Sequence, residues 1–173
     1  MKLYVAPASQ SVVSGNSVTV QVRLSKAANS KVDYAKADMT FSTNQLEIVS
    51  VSRSGSYFNA SGGPVTSFNN SKGTLNISGS GDTLPSNADV LVASVTFKAK
   101  SAGTGTLSYT NASLAGDLLG SGSVKNALTA TAGTSVLVSS PPCVTTTIHH
   151  ATETEQFYPE SDSSGSDCIA NNA

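Results

Sequence analysis

The chain is poor in charge, histidine and cysteine, and it has no tryptophan; these shortages exclude several classes of function. Only 12% of its 173 residues are charged, and 10 Lys and Arg stand against 11 Asp and Glu. This balance provides no broad basic surface for a nucleic-acid backbone and no basic patch for lipid headgroups. No run approaches the ~18 to 20 apolar residues of a membrane-spanning helix. We therefore expect neither nucleic-acid binding nor membrane insertion.

Catalytic and metal-binding patterns are equally scarce. The two histidines are the adjacent pair His149 and His150, and neighbouring histidines rarely complete a metal site without further ligands at suitable spacing. Both lie outside the strand-rich region, and no Gly-x-Ser-x-Gly elbow joins a strand to a helix, so a nucleophilic triad is not expected. The sequence predicts a chain that is not an enzyme and that needs no metal or other cofactor.

Alternation of apolar and polar residues is what the chain does contain. The clearest runs are SVTVQVRLS from Ser17 to Ser25 and VLVASVTFKAK from Val90 to Lys100. A period of two is typical of β-strands that bury one face and expose the other. No helical period of useful length is present, so the fold class is predicted to be all-β.

Turn residues divide the chain into nine short strands at intervals of roughly 10 residues. The predicted strands cover residues 3–6, 17–25, 34–41, 46–51, 65–69, 74–78, 90–100, 104–115 and 134–138. Strands of this number and spacing indicate a two-sheet antiparallel sandwich.

The stretch from Tyr34 to Ser52 begins with the strictest alternation. Its apolar parity comprises Ala35, Ala37, Met39 and Phe41. Its polar parity comprises Tyr34, Lys36, Asp38 and Thr40. We expect the first row in the core and the second row on the surface, where it either binds a partner or keeps the sheet solvated.

The composition changes at residue 140, so residues 1–139 are predicted to form one domain and residues 140–173 a Pro/Ser/Thr-rich linker and acidic tail with little regular structure. The tail holds both cysteines, Cys143 and Cys168, which can close a disulfide loop in an oxidising compartment, although sequence does not establish the pairing. Self-association through the tail is a further hypothesis. Residues 1–10 lack an apolar stretch of signal-peptide length, so Met1 is expected to begin an excised or mature fragment.

Several segments, taken in order, resemble the bacterial cohesin family over residues 3–139. They are Val5–Val12, Ser17–Val22, Ala37–Phe41 with Leu46–Val51, and Val92–Lys100 with Ala102–Leu107. The resemblance implies a nine-stranded jelly-roll sandwich, related to carbohydrate-binding modules and without catalytic machinery. It also implies a bacterial protein of the cell surface or extracellular space, as part of a larger secreted chain.

Cohesins capture the dockerin modules of enzymes on one sheet, built from their third, fifth, sixth and eighth strands. Mapped onto this chain, the resemblance assigns partner binding to Tyr34, Lys36, Asp38, Thr40, Thr66, Asn69, Asn76, Ser78, Thr110 and Asn111. The chain departs from several cohesins at Tyr34 and Lys36, where those carry a short polar residue and an acid.

Two other functions remain as alternatives at this point. The chain can be a structural or adhesion repeat of a surface protein or fibre, with sheet faces that serve stacking. It can also be a carbohydrate-binding module that binds polysaccharide, for which Tyr57 and Phe58 are the best exposed aromatic candidates, although plugging the end of the sandwich is the more common role of such residues.

Overall fold

The computed structural model describes residues 1–26, 31–59, 65–119 and 121–142, and these residues form strands and connections without a helix. In chain order the strands are β1 (Lys2–Ala6), β2 (Ser9–Val13), β3 (Ser17–Ser25), β4 (Tyr34–Phe41), β5 (Leu46–Ser52), β6 (Thr66–Asn69), β7 (Thr74–Ser80), β8 (Asp89–Ala99), β9 (Gly103–Tyr109), β10 (Leu114–Leu118), β11 (Val124–Asn126), β12 (Ala130–Ala132) and β13 (Thr134–Ser139). Within the described ranges there is no helix with the length and apolarity needed to cross a membrane.

The strands form two sheets, which confirms the predicted all-β sandwich. The five-stranded sheet has the order β12-β1-β3-β8-β5. The eight-stranded sheet runs β11-β10-β4-β9-β13-β2, and β7 joins it along β4 while β6 pairs with β7. Residues from Met1 to Ser140 belong to one compact unit.

The described residues form thirteen strands where nine were predicted, and two of the strand pairs are parallel. The predicted strand over residues 104–115 is two strands, β9 and β10, while β2, β11 and β12 were not predicted at all. The three unpredicted strands have only three to five residues and little alternation. Each is held by a neighbouring strand. Strand β2 pairs in parallel with β13, β12 pairs in parallel with β1, and β11 pairs with β10. Their existence depends on tertiary pairing, which a local pattern does not encode.

The core lies between the sheets and is built from the apolar parities of the long strands. Val20 and Val22 of β3 are fully buried. The residues of the predicted inner row of β4 are also buried, and none of them is more than 7% exposed. Phe41 of β4 meets Phe97 of β8 edge to face, with ring centroids 5.6 Å apart. This aromatic contact joins the two sheets across the core.

Two polar side chains fasten the β5 edge of the sandwich to the β6–β7 hairpin. The Ile48 N–H donates to Asn70 Oδ1 (2.9 Å) and Asn70 Nδ2 donates to the Ile48 carbonyl (3.0 Å), so the side chain pairs with this edge as a strand would. Arg53 donates to the Ser78 carbonyl (2.8 Å) and to the Phe58 carbonyl. Backbone groups at the border of the two sheets are thereby satisfied.

Tyr57 and Phe58 plug the sandwich and do not form an exposed sugar platform. Phe58 is completely buried and its ring packs against that of Tyr57 at a centroid distance of 5.9 Å. The Tyr57 hydroxyl donates to the Thr83 carbonyl (3.4 Å). Of the two roles considered from the sequence, the structure therefore shows the more common one, which is to plug the end of the sandwich.

Removal of the Phe97 ring should test the aromatic contact between the sheets. We expect Phe97→Ala to lower the free energy of unfolding by about 3 to 5 kcal/mol, because it removes a buried ring and leaves a cavity. Urea denaturation followed by circular dichroism measures the change. Val49→Ala, at a position 56% exposed on β5, is the matched control and should change stability by less than about 0.5 kcal/mol. Equal losses in both variants would contradict the proposed core.

Candidate partner-binding face

Strand β4 lies inside the eight-stranded sheet with neighbours on both edges. One edge pairs with β7 along its whole length, from Tyr34 opposite Ser80 to Thr40 opposite Thr74. The other edge pairs with β10 near Tyr34 and with β9 near Thr40. Because both edges are hydrogen bonded, the polar row of β4 is held in a fixed position at the centre of a broad surface.

The register places most of the predicted binding residues on the side of this sheet that faces away from the core, which we call the outer face. Lys36 is opposite Ser78 and Asp38 is opposite Asn76 on β7. The Thr110 N–H donates to the Asp38 carbonyl (2.8 Å), which continues the pairing of β9 with β4. Directly opposite residues share a face. The predicted residues that lie together on the outer face are Tyr34, Lys36, Asp38, Thr40, Asn69, Asn76, Ser78 and Thr110.

Thr66 and Asn111 lie elsewhere. Thr66 is opposite Ile77, a core residue, so its side chain points to the inner side of the sheet, where its hydroxyl is buried without a hydrogen-bond partner. The prediction that Thr66 shares a face with Asn69 was wrong. The two residues are three apart on β6, and residues an odd number apart on one strand point to opposite faces. Asn111 is exposed in the turn between β9 and β10, at the border of the outer face.

Lys36 and Asp38 are paired with each other. Their side chains point the same way along β4, and Lys36 Nζ lies 3.0 Å from the nearer Asp38 carboxylate oxygen, with about 30% of each side chain exposed. A partly exposed pair of this kind adds little to stability. It does leave the centre of the face with one charge of each sign and no net charge.

A depression of about 290 Å³ lies beside this pair, between β4, β7 and β6. Its lining residues are Asp38, Ser67, Phe68, Asn69, Thr74, Leu75 and Asn76. The polar members offer a carboxylate, hydroxyls and amides, all suited to hydrogen bonding. Phe68 is 44% exposed, but it is opposite the core residue Leu75, so its side chain lies on the inner side of the sheet and adds no ring to the outer face.

The other side of the outer face is apolar. On β10, Leu114 is opposite Lys36 of β4, and Leu118 is opposite Val124 of β11. The side chains of Leu114, Leu118 and Val124 therefore face the same way as that of Tyr34. We call Tyr34, Leu114, Leu118 and Val124 the apolar corner. Leu118 and Val124 lie outside the strands predicted from the sequence, since the three-residue β11 gives no alternation signal.

Two residues that the sequence did not single out give this region its shape. The Ser113 hydroxyl accepts from the Asp38 N–H (3.0 Å) and donates to the Asp38 carbonyl (2.8 Å), which ties the β9–β10 turn to β4. Gly116 is opposite Tyr34, and a Cβ at this glycine would lie 2.0 Å from the Lys125 carbonyl oxygen. Neither contact has a local sequence signal.

The exposed side of the five-stranded sheet differs because its polar side chains bond with each other. Asp89 accepts from the Tyr4 hydroxyl (2.6 Å) and from Arg23 Nε (3.0 Å), and Thr19 bonds Thr96 (2.9 Å). Burial and the Asp89 hydrogen bond raise the pKa of Tyr4. On the outer face, by contrast, the side chains of Thr40, Asn76 and Ser78 form no hydrogen bond with any described residue, so this face retains unused donors and acceptors.

The remaining predicted sites lie outside the described residues. These are the cysteines Cys143 and Cys168, the histidine pair 149–150 and the acidic tail. Within the described ranges, no three His, Cys, Asp or Glu residues cluster so as to hold a metal ion.

Comparison with known protein families and structures gives a consistent result. The family model described as "Cohesin domain" matches residues 4–138. The sixth cohesin of scaffoldin B from Acetivibrio cellulolyticus, solved with a mutant Cel5 dockerin, is 18% identical, with a TM-score of 0.63 over 80% of this chain and 98% of that chain. A comparison with curated proteins finds no match.

Two other solved structures show the breadth of the likeness. A type I cohesin–dockerin complex of Clostridium thermocellum, Coh-OlpC–Doc435, is 11% identical, with a TM-score of 0.64 over 81% of this chain and 94% of that chain. A non-cellulosomal cohesin from the archaeon Archaeoglobus fulgidus is 11% identical, with a TM-score of 0.56 over 80% and 90% of the two chains. At such identities these structures establish a shared fold.

The Ser113 contact leads to a test of how the outer face is held. Ser113→Ala should lower the free energy of unfolding by about 1 to 3 kcal/mol, since it leaves the partly buried N–H of Asp38 without a partner and removes one of the two donors to the Asp38 carbonyl. Thermal or urea unfolding measures this loss. Ser108→Ala is the control, because Ser108 is exposed on the outer face and its hydroxyl bonds no described residue. If Ser113→Ala is as stable as the control, the hydroxyl does not hold the turn.

Proposed function

The chain belongs to the cohesin domain family, whose members are non-enzymatic protein-binding modules, and we propose that it captures a dockerin-type module on the outer face of its eight-stranded sheet. The observation that carries this proposal is the set of unused polar groups around β4. On the five-stranded sheet the main polar side chains are bonded to each other, whereas those around Asp38 remain available to a partner. Two of the three similar structures described above are cohesins in complexes with dockerins.

The outer face suits a partner that brings its own regular structure. Its centre is a strand bonded on both edges, so binding requires no reordering of the backbone. A preformed surface avoids most of the entropic cost of ordering, which leaves more of the contact energy for affinity.

The surface also has the two kinds of contact that a protein interface needs. The depression beside Asp38 offers hydrogen-bond partners, while the apolar corner offers surface that a partner can remove from water. Leu118 is 36% exposed and lies two residues beyond Gly116, the residue opposite Tyr34, whose aromatic side chain is of a type often found at interface hot spots. A dockerin that places an apolar side chain at the corner and a hydroxyl or amide in the depression would satisfy both.

The cellular setting belongs to the same proposal. We propose that residues 1–139 are one module of a secreted bacterial protein, acting in a scaffold for polysaccharide degradation, with residues 140–173 as linker and tail. The support is the family match together with the scaffoldin origin of one similar structure.

The ion pair at the centre of the face provides the first test of the proposal. Lys36→Ala and Asp38→Ala should each weaken dockerin binding about tenfold or more, which corresponds to at least ~1.4 kcal/mol. The melting temperature should hardly change, because a partly exposed pair contributes only about 0 to 1 kcal/mol to stability. Titration calorimetry against a panel of dockerins measures the affinity, and Thr96→Ala on the other sheet is the control. If both variants bind the dockerin with unchanged affinity while Thr96→Ala binds it more weakly, the binding site lies on the five-stranded sheet.

The apolar corner provides a second and independent test. Leu118→Asp should weaken dockerin binding about tenfold or more, since a charge at the corner must be desolvated on contact. Val49→Asp is the control, because Val49 is a 56% exposed aliphatic residue on β5 of the five-stranded sheet, away from the outer face. The same calorimetric titration, with unfolding as a check on stability, separates the two variants. Equal affinity for Leu118→Asp and the wild type would remove the corner from the interface.

A further inference from the structure

One edge of β6 is unpaired among the described residues. Strand β6 pairs with β7 along its other edge and with no further described strand. The Ser78 N–H donates to the Val65 carbonyl (2.9 Å), so the backbone groups of Val65 are turned toward β7. In an antiparallel pair this direction alternates from one residue to the next. The N–H and C=O groups of Thr66 and Phe68 therefore point to the unpaired edge, where they bond no described residue.

The other sheet edges carry features that hinder the addition of a strand. Strand β5 has a register shift after Ile48, whose backbone groups are occupied by the Asn70 side chain. Lys125 lies in the middle of β11, and β12 has only three residues. On β2, the Gln10 side chain reaches across to the Thr19 carbonyl of β3. Strand β6 has no charge, no proline and no bulge, which are the usual protections of an edge.

Apolar side chains lie on both sides of this edge. Val65 and Phe68 are among the exposed large apolar residues of the protein. The hydrogen bond with Ser78 places Val65 on the outer side of the sheet, whereas Phe68, opposite Leu75, lies on the inner side. A strand added at β6 would remove apolar surface from water on each side and would also satisfy the backbone groups.

We propose that β6 pairs antiparallel with β6 of a second copy of this chain, around a two-fold axis through Ser67. In this register Thr66 of each copy is opposite Phe68 of the other copy. Because Thr66 and Phe68 are the residues whose backbone groups point outward, every one of those groups in both copies gains a hydrogen bond. The edge is thus complementary to itself, which favours a second copy over an unrelated strand.

The side chains fit the same register. Ser67 meets Ser67 of the other copy at the axis, where opposite Cα atoms are only about 4.5 Å apart and a small side chain is needed. The two Phe68 rings are diagonal neighbours on the inner side, at a separation of about 7 to 8 Å that aromatic side chains can span. The absence of charge from β6 means that no like charges within the strand oppose each other across the axis.

Such a dimer would extend the eight-stranded sheet and leave the outer faces of both copies on the same side. It is separate from dockerin capture and does not depend on it. Two short strands bury far less than the ~1,200 Å² of a stable complex, so we expect a dissociation constant on the order of 1 mM. Copies held in one assembly reach effective concentrations of about this size.

The test is sedimentation velocity and ¹⁵N NMR of the full chain over about 0.02 to 2 mM, on both sides of the expected dissociation constant. Dimer should appear as the concentration rises, with amide shifts in residues 65–69 and none in β2 or β11. Phe68→Lys, which places two like charges across the axis, should weaken association about tenfold or more. Thr66→Pro should do the same, because it removes an outward N–H and keeps the bonds to β7. Leu137→Lys, on β13 of the same sheet, is the control and should associate as the wild type does.

A chain that stays monomeric at the highest concentration would overturn the proposal. Association that persists unchanged in both Phe68→Lys and Thr66→Pro would also overturn it, because another surface would then hold the copies together. Thermal unfolding of each variant shows whether the fold is kept, and Phe68→Lys decides alone if Thr66→Pro is unfolded. No dockerin is present in these measurements, so failure of this proposal and failure of the proposed function are seen separately.

Discussion

The feature on which the rest of the molecule depends is the burial of one side of β4 while both of its edges are hydrogen bonded. Ala35 and Ala37 are completely buried against the other sheet. Strand β7 pairs with one edge of β4, and β9 and β10 pair with the other edge. A slip of one residue would place the polar row in the core and the apolar row in water. The same constraint that stabilises the sandwich therefore determines which side chains the outer face presents, and at what spacing.

The two exposed sheet faces differ in their hydrogen-bonding states. On the five-stranded sheet, Asp89 is the acceptor for both Tyr4 and Arg23, so a partner would first have to break internal bonds. Around Asp38 the main internal contact is with Lys36 on the same strand, and the neighbouring amides and hydroxyls are open to solvent. The availability of polar groups, together with the apolar corner, distinguishes the candidate site from the opposite surface.

The sequence predicted the parts of the fold that local alternation encodes, and it missed those that depend on pairing between distant segments. The long strands, the core row of β4 and the turn between β6 and β7 follow from period and turn chemistry. Strands β2, β11 and β12 exist because of their neighbours. Thr66 was misplaced although local alternation already puts it on the opposite face of β6 from Asn69. Ser113 and Gly116 act through contacts with residues that are distant in sequence, which no local pattern reveals. The binding role of the face came from a family resemblance and stays a proposal.

The central claim is that the outer face of the eight-stranded sheet is the surface that holds a partner. The most direct measurement is hydrogen–deuterium exchange of the full chain with and without a dockerin that binds it, read peptide by peptide. The account predicts added protection in β6, β7 and the β9–β10 turn, around a β4 that is already protected, with β1 and β3 unchanged. Added protection confined to the β6–β7 hairpin would still agree, whereas protection of the β1 and β3 peptides with no change in β6, β7 or the β9–β10 turn would contradict it.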